Sequence, residues 1–260
     1  MKTAALIYSR NEELFPGNAY FNLKEILLYI FHRHVYRRLY HFKLLLTILF
    51  RPGSKRTRVN IKNELPWFNY CIASMDKTIE NIGTFNNASN PEKMEYLNLW
   101  QVVEGIARKR KRLATMIGVE IEVSVKKEYF VYINRELLEI IIRNILDNAI
   151  QYSDDKKRRK IVSISAVENW EHLYISIKDN GIGIPDKEMG KIFKMFYKVA
   201  SSSPGLGAGL YLARKAVEKL NGSIDVVSSA GLGSEFLVHL PSTVSVLQSA
   251  SKSKKEGGKS

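Results

Sequence analysis

The chain is short of cysteine, short of acid relative to base, and has no long apolar run free of charge. Its single cysteine, Cys71, can close no internal disulfide and builds no cysteine-based metal cluster. A disulfide-stapled secreted scaffold is therefore excluded, and a reducing, cytoplasmic setting is the expectation. The longest apolar stretch near the start, Ile26 to Phe50, is interrupted by Arg33, Arg37, Arg38 and Lys43. That is too many charges for the run of about 20 apolar residues that spans a bilayer, so neither a transmembrane helix nor a cleavable signal peptide is expected.

The shortage of acid is local. Over the whole chain, 40 Lys and Arg face 26 Asp and Glu, a net charge of +14. Residues 1–62 carry twelve basic residues against three acidic ones, and the stretch from Gln248 onward four against one. The 63–247 region is left near neutral at +2. An ordinary globular domain is thus flanked by basic ends. With 45% hydrophobic residues in 260 there is ample material for a core, which excludes fibrous and wholly disordered chains.

Aromatic, aliphatic and basic residues recur at helical spacing from Leu23 to Phe50, and Arg51-Pro52-Gly53-Ser54 breaks the run. A second helical stretch, about 64–85, carries an apolar stripe of Trp67, Tyr70, Ile72, Met75, Ile79 and Ile82. Together they predict a basic α-helical hairpin over 1–88, too thin to bury its own face and expected to dimerise or to pack on its neighbour. Asn86 to Pro91 reads as a linker. The second domain, 92–245, shows a helix over Leu97–Ile117 with Arg108 to Arg112 on its exposed face, and a strand over Val119–Val125. A helix capped by Asn134 follows, running to Tyr152. Strands are predicted at Ile161–Ala166, Leu173–Lys178, Ser223–Ser228 and Ser234–Leu240, with a helix at Gly209–Leu220. The mixture implies an α+β fold, an α/β sandwich with helices on one face of its sheet. The basic run Lys156 to Lys160 reads as a solvated loop, and the 248–260 tail as disordered.

The chemistry lies in glycine-bearing segments of the second domain. Asp179 ends a hydrophobic strand, where a carboxylate can accept a hydrogen bond from the amine of adenine, and Gly181 and Gly183 admit close backbone approach. Gly205-Leu206-Gly207-Ala208-Gly209-Leu210 leads into a helix whose free N–H groups favour a polyphosphate. Neither dinucleotide-binding nor P-loop spacing fits. Upstream, Asn144 and Asn148 stand four apart on one helix face and offer two amide oxygens to a hydrated Mg2+.

Arg143 to Ser153 resembles the N box of sensor histidine kinases, Asp179 to Pro185 their G1 box, and Lys191 to Lys198 their F box. Gly205 to Leu210 is similar to the G2 box, and Gly231 to Ser234 to the closing glycine motif. The order of the boxes is the family's, and the resemblance covers Leu97 to Pro241. It implies the Bergerat (GHKL) ATP-binding fold, with ATP and Mg2+ as ligands. On the matching positions, Asn148 and Asn144 become the magnesium-linked pair, Asp179 the adenine carboxylate and Tyr152 a wall of the base pocket. Ile184 and Ser234 join the nucleotide site through their boxes. Phe196, Lys198 and the segment from Ser201 through Gly205, Leu206, Gly207 and Gly209 to Leu210 become a mobile lid over the phosphates. Gln151 stands where the family usually has a basic residue. Asn144 stands where hydrolytic relatives carry the Glu that activates water, which favours phosphoryl transfer over hydrolysis.

The resemblance also implies a phosphoacceptor histidine on the first helix, with an acidic neighbour and a proline a few residues on, and a response-regulator partner. His32, His34 and His41 are the candidates. They are followed by Arg33, Val35 and Phe42, with no adjacent acid and no proline until Pro52. Nearby arginines lower an imidazole's pKa and offer it no base. Acceptor and ordinary basic-helix histidine both stay open, as does a kinase-inactive, nucleotide-gated binding module. The first helix likewise suits packing into the hairpin, nucleic-acid phosphates or an anionic membrane face. His172 and His239, in or beside strands, read as structural.

Overall fold

The structure, a computed structural model, describes Gly83, residues 93–199 and residues 207–243. These all fall within the second of the chain's two compact units, Asp76–Ser260. The predicted hairpin over 1–88, the linker and the tail from 248 lie outside the described residues. No helix among those described is long and apolar enough to cross a membrane.

A strand, β1 (Met94–Asn98), opens the described domain and is followed by helix α1 (Leu99–Met116), strands β2 (Val119–Ser124) and β3 (Phe130–Asn134), and helix α2 (Arg135–Gln151). Strands β4 (Lys160–Glu168) and β5 (His172–Asp179), the short helix α3 (Asp186–Met189), helix α4 (Gly209–Lys219) and strands β6 (Ser223–Ser229) and β7 (Gly233–Pro241) complete it. Five strands form one sheet in the order β2-β4-β5-β7-β6, parallel between β2 and β4 and antiparallel elsewhere.

Alternation along the strands turns Val162, Ile164, Leu173, Ile175, Ile177, Phe236, Val238 and Leu240 to one face, where all are buried. Helices cover that face. Ile140, Ile141, Ile142, Ile145 and Leu146 of α2 and Leu212, Ala213, Ala216 and Val217 of α4 have no exposed surface. The other face keeps half-exposed and polar side chains, including Tyr174 and His239, whose rings lie 5.0 Å apart. The expected sandwich, helices on one side of a mostly antiparallel sheet, is what forms.

Two expectations about the start of the domain need correction. The helix predicted over Leu97–Ile117 begins at Leu99, because Met94–Asn98 pairs antiparallel with β3 in a separate two-stranded sheet. Tyr96 faces Tyr132 across it, ring centroids 4.8 Å apart. Asn98 then ends the strand and caps the helix, its side chain accepting from the Gln101 N–H at 2.9 Å. Within the run Arg108 to Arg112, Arg110 leaves the solvent face: its Nε donates to Asp147 Oδ1 of α2 at 2.8 Å.

Asn134 caps α2 as predicted, accepting from the Leu137 N–H at 3.1 Å while itself buried. Asn134→Ala should lower the unfolding free energy by about 1–2 kcal/mol, read from urea denaturation. The helix that it starts carries both site asparagines.

Candidate functional site

Four segments distant in sequence meet at one end of the sheet. The C-terminal half of α2 supplies Asn144, Asn148 and Tyr152. The turn after β5 supplies Asp179 to Ile184, the N-terminus of α4 supplies Gly209 and Leu210, and the β6–β7 connection supplies Ser228 to Ser234.

Asp179 is the last residue of β5 and is buried. Its Oδ1 accepts two backbone N–H groups, Gly181 at 2.8 Å and Ser234 at 3.3 Å, one from each flanking loop. Its other oxygen, Oδ2, makes no hydrogen bond to the described residues. Burial pushes the carboxyl's pKa up, opposed by the two N–H donors and by the positive charge of Lys157. The result is a fixed acceptor suited to an amine that also donates.

Backbone packing around this carboxylate explains the glycines more directly than ligand clearance does. A Cβ on Gly181 would stand 2.3 Å from the Tyr152 carbonyl oxygen. Gly183 has φ +68° and would place a Cβ 2.0 Å from the Ser229 carbonyl oxygen. The strands and loops are stitched together by Ile182 N–H to the Tyr152 carbonyl (3.0 Å) and Gly231 N–H to the Ile182 carbonyl (2.7 Å). Ile184 N–H donates to the Ser228 hydroxyl at 2.8 Å, and that hydroxyl lies 3.0 Å from the Ser234 hydroxyl. Tyr152 thus bounds the site with its main chain, and Ile184 and Ser234 anchor the loops.

Asn144 is buried and donates from Nδ2 to the Ile140 carbonyl at 2.8 Å, which leaves Oδ1 turned toward α4. A Cβ on Gly209 would come within 3.1 Å of that oxygen, so the glycine lets α4 start close against Asn144. Asn148 is half-buried, and its side-chain amide is unengaged among the described residues. Helix α4 starts after Ala208 with no side-chain cap, and the N-terminus of a helix favours an anion. Two amide oxygens without a cluster of carboxylates suit a hard cation that retains most of its waters. No group of three or more His, Cys, Asp or Glu that would hold a metal occurs among the described residues.

Phe196, expected in the lid, packs against the segment that leads into α4. It is buried, with φ +63°, and Gly207 packs against it so closely that a Cβ would lie 2.9 Å from the Phe196 carbonyl carbon. Lys198, half-buried, closes the same corner, its Cγ 3.0 Å from that position. Gly205, Leu206, His32, His34 and His41 lie outside the described residues, and Leu210 sits half-buried in the first turn of α4.

Three contributors escaped the sequence reading. Ser228 acts through the hydroxyl bonds above. Asn180 clasps β4, accepting from the Ile161 N–H at 2.9 Å and donating to the Arg159 carbonyl at 2.8 Å. Lys157 donates to main-chain carbonyls on both sides of Asp179. The run Lys156 to Lys160 is therefore not simply solvated. Arg159 pairs with Glu120 and Glu122, and Lys160 with Asp155. Only Asn180 lay inside a recognised motif, and no periodicity marks any of the three.

Comparison with known proteins bears on the same region. Residues 133–244 match the family described as histidine kinase-, DNA gyrase B-, and HSP90-like ATPase. The chain is 35% identical over 119 residues to the sensor histidine kinase WalK of Bacillus subtilis (strain 168), covering 44% of this chain and 19% of WalK. It is 32% identical over 120 residues to the sensor protein SrrB of Staphylococcus aureus (strain MRSA252), covering 45% of this chain and 20% of SrrB. The match thus spans about a fifth of each relative's length. Among solved structures, the mycobacterial sensor histidine kinase MprB superposes with a TM-score of 0.50 at 25% identity, over 57% of this chain and 97% of that one. The Acinetobacter baumannii histidine kinase AdeS reaches 0.56 at 20% identity, over 78% and 94%, and shares the fold.

Proposed function

We propose, on the premise that residues 133–244 are a histidine-kinase-like ATP-binding domain of the histidine kinase-, DNA gyrase B- and HSP90-like ATPase family, that the chain transfers the γ-phosphoryl group of ATP to a histidine. The acceptor is in cis or on a partner, in two-component-type signalling. The observation that carries the reading is the buried Asp179 carboxylate, one oxygen fixed by two N–H donors and the other left for the adenine amine.

Each element then has a task. Asp179 orients the base. The uncapped N-terminus of α4 faces the phosphates, and Gly209 lets it start close against Asn144. Asn144 and Asn148 would hold a hydrated Mg2+, whose charge offsets that of the phosphates when it is bound. An amide at Asn144 cannot deprotonate water, so the site positions ATP for an acceptor and does not itself drive hydrolysis. In the transfer an imidazole nitrogen forms the N–P bond as the bond from phosphorus to the β–γ bridging oxygen breaks. ADP leaves, and the imidazole proton passes to solvent or a base. His32, His34 and His41 of the basic 1–88 segment are the acceptors proposed. That segment would dimerise and present them to the 92–245 domain, with a response-regulator receiver as the next acceptor, in the cytoplasm where ATP is held.

Incubation with γ-labelled ATP and Mg2+ should give acid-labile, alkali-stable label. Replacing the accepting histidine among His32, His34 and His41 should remove it. Label retained in all three single variants would move the acceptor elsewhere. No label on the chain or on any receiver would overturn phosphotransfer and favour a nucleotide-gated binding module.

A further inference from the structure

Lys157 lies in the loop between α2 and β4, outside every segment that marks the nucleotide site. Its ammonium has three N–H donors and three main-chain acceptors within reach: the Asn180 carbonyl at 2.5 Å, the Gly181 carbonyl at 3.3 Å and the Leu232 carbonyl at 3.4 Å. The first two belong to the turn after β5, the third to the β6–β7 connection. These are the same two loops that each give one N–H to Asp179 Oδ1, through Gly181 and Ser234. One cation therefore bridges, from behind, the loops whose relative position decides how the carboxylate is held.

We propose that Lys157 is a positioning residue for nucleotide: it fastens the 179–181 turn to the 231–234 turn, so that both N–H donors stay on Asp179 Oδ1 and Oδ2 is left to the adenine amine. The proposal rests on ATP occupying this pocket. A charge-assisted bond to a carbonyl is stronger than a neutral one, and three such acceptors on one ammonium add a cationic clasp to the Ser228 hydroxyl, which joins the same two segments through Ile184 and Gly233. The electrostatics agree. Around Asp179, β7 and the 179–185 turn contribute the N–H groups of Ser234 and Gly181, and Lys157 is the charged group that favours the ionised carboxylate.

Calorimetric titration of the full chain with ATP and with ADP tests this. Lys157→Met should weaken both nucleotides by the same factor, about tenfold, because the residue acts at the base end. Acidification should then cost affinity at a higher pH than in the wild type, since the carboxyl has lost the charge that held its pKa down. Lys157→Arg, which keeps the charge and several donors, should recover most of the affinity. Lys157→Gln carries the expectation for Lys157→Met if the methionine variant does not fold, with thermal melting as the check. Unchanged affinity and pH profile in a folded variant would overturn the proposal. So would a loss much larger for ATP than for ADP, which would make Lys157 a γ-phosphate ligand. A wild-type chain that fails to bind ATP at all would overturn the ATP reading instead.

Discussion

Asp179→Asn will bind ATP about a hundredfold or more weakly than the wild-type chain, yet melt within about 2 °C of it. The amide oxygen can still accept from the Gly181 and Ser234 N–H groups, so the loops keep their anchor. The amide nitrogen then occupies the place of Oδ2 and points a donor at the adenine amine, itself a donor. A buried mismatch of that kind leaves both groups without a partner and costs far more than a lost surface contact.

Stability should not suffer, because the wild-type carboxylate is held in a buried place that penalises its charge. Its folded-state pKa is raised, mainly by burial. A raised pKa adds stability below the unfolded value and loses it as pH rises through the folded one. A neutral amide escapes that loss. For the same reason, wild-type ATP affinity should fall on acidification at a higher pH than an ordinary carboxylate would give. Affinity equal to wild type in a titration of Asp179→Asn would remove Asp179 from the site.

The sequence made the motifs legible because each needs a particular residue at a particular chain position. Asn134 had to be a cap, Asp179 had to end a strand, and the glycines had to open turns. Strand alternation likewise brought out β4, β5, β6 and β7 to within a few residues. What stayed hidden is what depends on partners far along the chain. β1 has one buried side chain, Leu97, and becomes a strand by pairing with β3, so its five residues carry no period of their own. Arg110 and Lys157 sit in runs of like charge whose members are indistinguishable by type. Asp147 draws one inward, and three carbonyls take up the other.

Phe196, read as part of a lid, is buried with a left-handed backbone, and neither feature is announced by its residue type. The net charge of +14 also changes meaning once the fold is known. In the described domain Arg110 meets Asp147, Arg159 meets Glu120 and Glu122, and Lys157 meets the Asn180 carbonyl beside Asp179. Of the +14, +9 falls in the first 62 residues, where the proposed acceptors also lie, and +3 in the stretch from Gln248, both outside the described residues.

Gly233→Ala should lower the unfolding free energy by about 4 kcal/mol and remove ATP binding from whatever folds. Gly233 opens β7 with φ +113°, a conformation that L residues rarely adopt. Its Cβ would stand 2.1 Å from the Asp179 carbonyl oxygen and 2.7 Å from the Asn180 Cα. Both are main-chain atoms and cannot swing aside as a side chain tip would. Relief requires β7 to shift from β5 at the Asp179–Ser234 pair, which takes the Ser234 N–H away from Asp179 Oδ1. Gly231 supplies the comparison. It also has positive φ, +81°, but a Cβ there meets nothing within 4 Å. Gly231→Ala should therefore cost only the left-handed backbone, about 1–2 kcal/mol, and leave nucleotide affinity close to wild type. Urea denaturation and ATP titration of the two variants separate the causes: equal losses would mean that backbone handedness alone sets the cost, and that the close approach of β7 to Asp179 does not shape the site.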